Sequence, residues 1–244
     1  MLQQTQVNRV VERWPQFMAQ FPTPLHCANA TSGDVIAAWS GLGYNRRARN
    51  LHRAATAITA EFGGRVPTSS AQLRSLPGVG AYTSRAVASF AFGECVGVVD
   101  TNVGRVLARA VANATLSARV AQNLADELVG DGPSASINQA MLDVGARHCR
   151  REPRCSSCPL RTLCVWRREG GADPAVASAG VSRPQPTFLG SRRQARGRII
   201  AALREGPLHV GAARAIAGSF EGVVEELVAE GLAARTGSSL TLPR

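Results

Sequence analysis

The 244-residue chain contains no lysine, so all 28 of its basic residues are arginine. A GC-rich coding sequence accounts for the bias, because arginine and alanine codons are GC-rich and lysine codons are not. The chemical consequence holds whatever its origin. No side-chain amine exists to form an imine with an aldehyde, and Schiff-base catalysis by a lysine is excluded. The chain also lacks an apolar run long enough to span a bilayer, and its first residues lack the basic-then-apolar order of a secretory signal. Both absences point to a cytoplasmic protein with no membrane partner.

Hydrophobic residues make up 45% of the chain, enough to bury a core in one main domain with a smaller unit beside it. Against the 28 basic residues stand 17 acidic ones, giving a net charge of +11. That balance, with a pI near 10.9, suits a polyanionic partner such as nucleic acid.

Helical spacing of apolar residues predicts an all-α protein, with helices over 2–20, 33–40, 46–62, 69–75, 81–92, 102–113, 117–129 and 135–148. Gly63, Gly64 and Pro67 close one of them, and Ser117 and Ser134 are expected as N-caps of two others. Residues 169–187 have the Gly/Ala/Pro/Ser composition of a linker. Beyond it, helices are expected over 192–204, 208–217 and 220–231, followed by a hairpin around Gly237 and Ser238, which together suggest a winged-helix-like module over 188–244.

Two local patterns carry chemistry. In "SLPGVGAYTSRAV" (75–87) a Gly-Val-Gly turn opens a helix, and glycines there leave unpaired amide N–H groups at the positive end of the helix dipole, where a phosphate fits. A plain corner between two helices explains the same residues. The second pattern is C-x5-C-x2-C-x5-C, formed by Cys149, Cys155, Cys158 and Cys164. In a reducing compartment four converging thiolates suit tetrahedral zinc or an iron–sulfur cluster, and the spacing does not choose between them. Arginines 147, 150, 151, 154 and 161 surround the four and would favour phosphate contact. Cys27 and Cys95 read as ordinary small buried residues.

Taken in order, "MLQQTQV", "WSGLGYNRRARNLH", "LPGVGAYTSRAV", "VVDTNVGRVLAR", "NQAMLDVGARHC" and the four cysteines closely resemble the adenine DNA glycosylases of the MutY family, within the helix-hairpin-helix glycosylase superfamily. The resemblance is collinear from residue 1 to about 168. It implies a helical domain over 1–98 with the helix-hairpin-helix at about 69–92, and a helical domain over 99–168 carrying a 4Fe-4S cluster on Cys149, Cys155, Cys158 and Cys164. It also implies a monomeric, nucleoid-associated bacterial enzyme that removes adenine mispaired with 8-oxoguanine or guanine in double-stranded DNA.

By the same resemblance Gly78, Val79 and Gly80 grip a DNA phosphate, and Tyr44 is the wedge beside the mispaired purine. Gln3, Gln4 and Thr5 probe the opposing base and line the pocket, and Arg46, Arg47 and Arg49 face phosphates. Asp100 would stabilise the positive charge that develops on the deoxyribose, with Asn102 supporting it. A helix N-cap explains Asp100 equally well from local sequence. Tyr82 stands where endonuclease III-like relatives carry a lysine, which implies a monofunctional enzyme that leaves an abasic site.

Three departures from the family pattern shape the expectation. A glutamate that protonates the leaving adenine would precede residue 1, so the sequence reads as N-terminally truncated, with base removal slower than in a form extended upstream. The first cysteine gap is five residues where the family usually has six. Residues 188–244 are too few for the usual Nudix-like C-terminal domain, which leaves preference for 8-oxoguanine open. The runner-up reading is a catalytically impaired mismatch- or damage-binding protein with an iron–sulfur or zinc site, followed by a zinc-stabilised helical regulator.

Overall fold

The computed structural model describes residues 1–178 and 187–244. Its described residues form two compact units. One comprises residues 1–67, 76–78 and the described part of 185–244; the other comprises 68–75 and the described part of 79–184. Residues 179–186, the larger share of the C-terminal half of the expected linker, lie outside the described residues.

The first unit opens with α1 (Val7–Gln20), α2 (Pro24–Asn29), α3 (Ser32–Ala38) and α4 (Arg46–Glu61). The expected helix over 2–20 begins only at Val7, because Gln4 takes a left-handed φ of 57° and turns the chain before it. α2 falls outside the helices expected from apolar spacing, although Thr23 caps it through His26 N and Pro24 occupies its first turn, a recognised start signal. In α3 the side chain of Thr31 accepts from Asp34 N while Asp34 accepts from Thr31 N, a reciprocal capping box. Phe17 lies against Phe21, with ring centroids 4.9 Å apart, and edge-on to Trp39 at 5.9 Å.

In the second unit lie α5 (Ser70–Ser75), α6 (Ala81–Phe92), α7 (Thr101–Val106), α8 (Ala118–Val129), α9 (Ser134–Arg147) and α10 (Val165–Glu169). The helix expected over 102–113 divides, because residues Leu107–Ala112 continue α7 as a π-helical turn. Ser117 caps α8 as expected, accepting from Val120 N. Ser134 does not cap α9: it is the first helical residue after Pro133, buried, with its hydroxyl accepting from Ser89. A core of Val103, Leu107, Ala108, Leu116, Ala121 and Ala125 holds these helices together.

At the C-terminal end, within the first unit, come α11 (Arg192–Glu205), β1 (Leu208–His209), α12 (Val210–Ala217), α13 (Val223–Ala229), β2 (Ala234–Thr236) and β3 (Ser239–Thr241). The helix expected over 208–217 begins two residues late, because Leu208 and His209 pair with Leu240 and Ser239 and His209 then caps α12 through Gly211 N. The predicted hairpin forms with Gly237 at φ 58°, and the antiparallel order is β1-β3-β2. Ile199, Ile200, Leu227 and Leu240 join Phe17, Ile36 and Trp39 in one apolar core. Each fully buried aliphatic side chain of that kind contributes roughly 1.5–3 kcal/mol.

Candidate active site

Asp100 ends an extended stretch and caps α7. Its Oδ1 accepts from Asn102 N and Val103 N, each at 2.8 Å, and its Oδ2 accepts from Asn102 Nδ2 at 2.8 Å. Three N–H donors therefore fix the carboxylate in one orientation. The stretch before it is fixed as well. Fully buried Asn138 on α9 accepts from Val98 N at 2.8 Å and donates to Val96 O at 2.8 Å and to Ser89 Oγ at 3.0 Å. Asp126 on α8 accepts from Gly97 N at 2.7 Å and pairs with Arg85 at 2.6 Å. A side chain at Gly97 would lie 2.5 Å from the backbone of Ala125, so only glycine lets the chain pass here.

From Asp100 a chain of bonds runs on to the cysteines. The Oδ1 of Asn102 accepts from Arg105 at 2.7 Å, and Arg105 also donates to Cys149 O at 2.8 Å and to Gly145 O at 3.1 Å. Gly145 has no Cβ to fend off Asn102, whose backbone would be 2.6 Å away. Burial lowers the Arg105 pKa, and Cys149 and Asp100 act to raise it. Tyr82, in the first turn of α6, is 41% exposed, and burial, then the Asp100 charge, raises its phenol pKa. Asp100 and Asn102 are thus bonded to each other and Tyr82 lies within reach of the Asp100 charge, whereas Arg105 and Asn138, both inside quoted motifs, carry no expectation from the sequence.

The four cysteines of the loop line a common cavity with Arg109 and Trp166. All four are partly buried and free, while among the described residues no three Cys, His, Asp or Glu are set to grip one metal ion. Burial raises the Cys149 thiol pKa against the opposing pull of Arg109. Arg109, on the π-helical turn, has a side chain only 2% exposed and donates to both carboxylate oxygens of Asp173 at 2.8 and 2.5 Å, to Arg150 O at 2.6 Å and to Cys149 Sγ at 3.5 Å. Of the remaining two cysteines, Cys27 is buried as expected, with burial pushing its thiol up to about 11. Cys95 is exposed instead, because it follows the glycine that ends α6 and its Sγ reaches only Gly132 O at 3.7 Å.

The Gly-Val-Gly turn joins α5 to α6. Gly78 has φ 77°, and a Cβ there would lie 2.5 Å from Asn50 Cβ, so both conformation and space require glycine. No side chain caps α6, whose N-cap is the extended Gly80; Arg74 reaches to 3.7 Å from where a Gly80 Cβ would sit. Val79 is half-buried between the two exposed glycines.

Tyr44 and the N-terminal residues lie together in the first unit. Tyr44 takes a left-handed φ of 48°, costing a non-glycine residue about 1–2 kcal/mol, and is 40% exposed. Arg47 sits 5.3 Å from the Trp39 ring and 5.8 Å from the Tyr44 ring, and donates to Met1 O at 2.9 Å, Thr5 Oγ1 at 2.7 Å and the carbonyl of Gln3. Gln3 and Gln4 are exposed, and Thr5 also donates to Leu42 O at 3.2 Å. Arg46 is exposed 3.6 Å from Glu230, and Arg49 lies under Gly231 with Nε 2.9 Å from the site of a missing Cβ. Arg47, rather than Arg46 or Arg49, is the arginine that ties residues 1–5 to the Tyr44 loop.

The family model described as HhH-GPD superfamily base excision DNA repair protein matches residues 1–130. The adenine DNA glycosylase of Mycolicibacterium smegmatis is 41% identical over 209 residues, covering 84% of this chain and 69% of that protein. Among solved structures, a thermostable thymine-DNA glycosylase aligns with a TM-score of 0.62 and 28% identity, over 68% of this chain and 80% of its own. A trapped endonuclease III–DNA covalent intermediate aligns with a TM-score of 0.60 and 25% identity, over 68% and 79% respectively.

Proposed function

We infer the function from one premise: the chain belongs to the adenine DNA glycosylase family, within the HhH-GPD superfamily of base excision DNA repair proteins. Its enzymatic class is that of a DNA N-glycosidase. The substrate we propose is adenine opposite 8-oxoguanine or guanine in double-stranded DNA, removed without cutting the strand. The observation that carries the second half is the absence of any lysine from the sequence, with Tyr82 opening α6 and the Asp100 carboxylate fixed at the start of α7.

Because the target atom cannot be reached inside a stacked duplex, the nucleoside must leave the helix. Tyr44 fits the wedge in this reading, with Gln3, Gln4 and Thr5 beside it, and the Gly78–Gly80 turn takes a phosphate. As the bond between the sugar and adenine stretches, positive charge grows on the deoxyribose ring, and the Asp100 carboxylate lies against it. The held carboxylate needs no reorganisation as charge develops, since Asn102 and the start of α7 orient it in advance. The bond from the sugar to adenine breaks as water adds at the anomeric carbon, so that the sugar keeps the hydroxyl and the departing adenine takes up the proton. The Tyr82 phenol cannot attack to form an imine, so the product is an intact strand with an abasic site.

Cys149, Cys155, Cys158 and Cys164 are the ligands we propose for a 4Fe-4S cluster. Four cysteines lining one cavity offer the all-thiolate donor set that such a cluster takes, and the resemblance of the motif to the family's cluster loop favours it over zinc. When bound, the cluster would cross-link the loop by metal–thiolate bonds. For residues 188–244 the order helix, strand, two helices and hairpin supports a winged-helix reading.

The test incubates the full chain with duplexes holding one adenine opposite 8-oxoguanine, guanine or thymine. We expect free adenine and an alkali-labile site from the first two, with no direct strand break. A strand break without alkali, or a borohydride-trapped protein–DNA adduct, contradicts the reading. Purified anaerobically, the protein should be brown with equal iron and sulfide; a colourless protein with one zinc per chain contradicts the cluster.

A further inference from the structure

Three residues of the loop between α3 and α4, Gly41, Gly43 and Tyr44, take left-handed φ angles of 82°, 71° and 48°. Tyrosine adopts such a conformation only where its surroundings dictate it. Burial does not dictate it here, because the ring is 40% exposed. Several polar contacts do. Trp39 Nε1 donates to Gly43 O at 3.1 Å, Arg47 donates to Leu42 O at 3.2 Å, and the Tyr44 hydroxyl accepts from Arg193 at 2.9 Å.

The last of these bonds spans 149 residues of sequence. Arg193 stands in the first turn of α11, whose N-terminus is capped by Ser191 accepting from Gln194 N. The Arg193 guanidinium lies 5.9 Å from the Phe188 ring, while its neighbours Arg192 and Arg196 pair with Glu226 and Glu230. The far end of α11 is tied to the N-terminal helices, since Arg204 donates to Ser40 Oγ at 3.1 Å and to Ile36 O at 3.3 Å. At the end of the chain Pro243 O accepts from Gly33 N at 2.7 Å, where a Cβ on Gly33 would come within 2.4 Å of the same oxygen.

Within the C-terminal segment, α13 is the last helix before the β2–β3 hairpin, where a winged helix places its groove-reading element. Here that helix and its flanks carry Glu221, Glu225, Glu226 and Glu230. Such a surface repels phosphate, and the carboxylates of Glu225, Glu226 and Glu230 pair with Arg214, Arg192 and Arg196. The acidic charge on and beside α13 is thus paired with arginines of its own unit.

We propose that residues 188–244 serve DNA recognition indirectly, as a brace that presets the Tyr44 wedge, and that Arg193 is the positioning residue through which they do so. This rests on the wedge reading of Tyr44. By bonding the phenol oxygen of a strained, exposed residue, Arg193 restricts the ring to one direction before DNA arrives. The wedge then enters the stack without first losing conformational freedom.

The test measures equilibrium binding of the full chain to duplexes with adenine opposite 8-oxoguanine and opposite thymine, and takes the ratio of the two affinities. Arg193→Ala and Tyr44→Phe should each lower that ratio by about 5-fold, the size of one hydrogen bond. The double variant should do no worse than either alone, Arg193→Lys should recover part of the loss, and the melting temperature of each should stay near that of the parent. If Arg193→Ala still lowers the ratio in the Tyr44→Phe background, Arg193 touches DNA itself and the brace is wrong. An unchanged ratio for Arg193→Ala beside a lost ratio for Tyr44→Ala overturns the brace and keeps the wedge. An unchanged ratio for Tyr44→Ala overturns the wedge reading and the brace with it.

Discussion

A methyl group at Gly78 would meet Asn50 Cβ at 2.5 Å in a backbone conformation, φ 77°, that L side chains avoid. Gly78→Ala should therefore destabilise the chain by about 1–3 kcal/mol in urea unfolding. In our reading the turn touches only phosphate, so the variant should weaken matched and mispaired duplexes by the same factor, because backbone contacts carry no sequence information. A loss confined to the mispair would place the turn at a base instead. Glycine's role here was visible in the sequence, since two glycines before an apolar-periodic helix mark such a turn. At Asp100 the sequence offered a helix cap or a reacting carboxylate, and the geometry makes it a cap whose other oxygen is aimed by Asn102. Those two roles do not compete, and no local pattern could have said so.

At the level of elements, the π-helical turn after α7 places Arg109 where it ties the cysteine loop to residues 173–178. Its guanidinium meets the Asp173 carboxylate, while Ala175 is buried and Ser178 Oγ accepts from Leu116 N at 3.0 Å. The Arg109 hydrogen bonds hold the Asp173 carboxyl below the usual carboxylate range. A depressed carboxyl pKa stabilises the fold at neutral pH, and the gain is lost as pH falls through the folded value, below about pH 4. Asp173→Asn should remove that acid-side slope from the melting temperature and, by leaving a buried guanidinium unpaired, cost about 3–5 kcal/mol at pH 7. A variant with the parent's acid slope would show that another carboxylate carries it. Helical periodicity foretold most helices of both units, because it depends on neighbours three and four apart. It could not foretell the Arg109–Asp173 pair, 64 residues apart, nor the π-helical turn, which no apolar spacing distinguishes from a helix.

Over the whole molecule, the charge of +11 is the feature the sequence displays most openly. Binding to an undamaged duplex should fall by about 10²-fold between 50 and 200 mM salt, as for roughly four phosphate contacts. A fall under about threefold would mean that the arginines serve internal pairs, as Arg192, Arg196 and Arg214 do. Composition also marked residues 188–244 as a second folding region. What composition could not reveal is that Ile199, Ile200 and Leu240 complete a core begun by Phe17, Ile36 and Trp39, because contact between chain ends leaves no local trace.

The most direct measurement is single-turnover release of adenine from an adenine–8-oxoguanine duplex by the full chain and by Asp100→Asn. Asparagine caps helices about as well as aspartate, so fold and DNA binding should survive the change. The account predicts adenine release by the parent and a rate about 10²–10³-fold lower in the variant, the scale of losing one preorganised stabilising group at the transition state. Equal rates in the two proteins would contradict it.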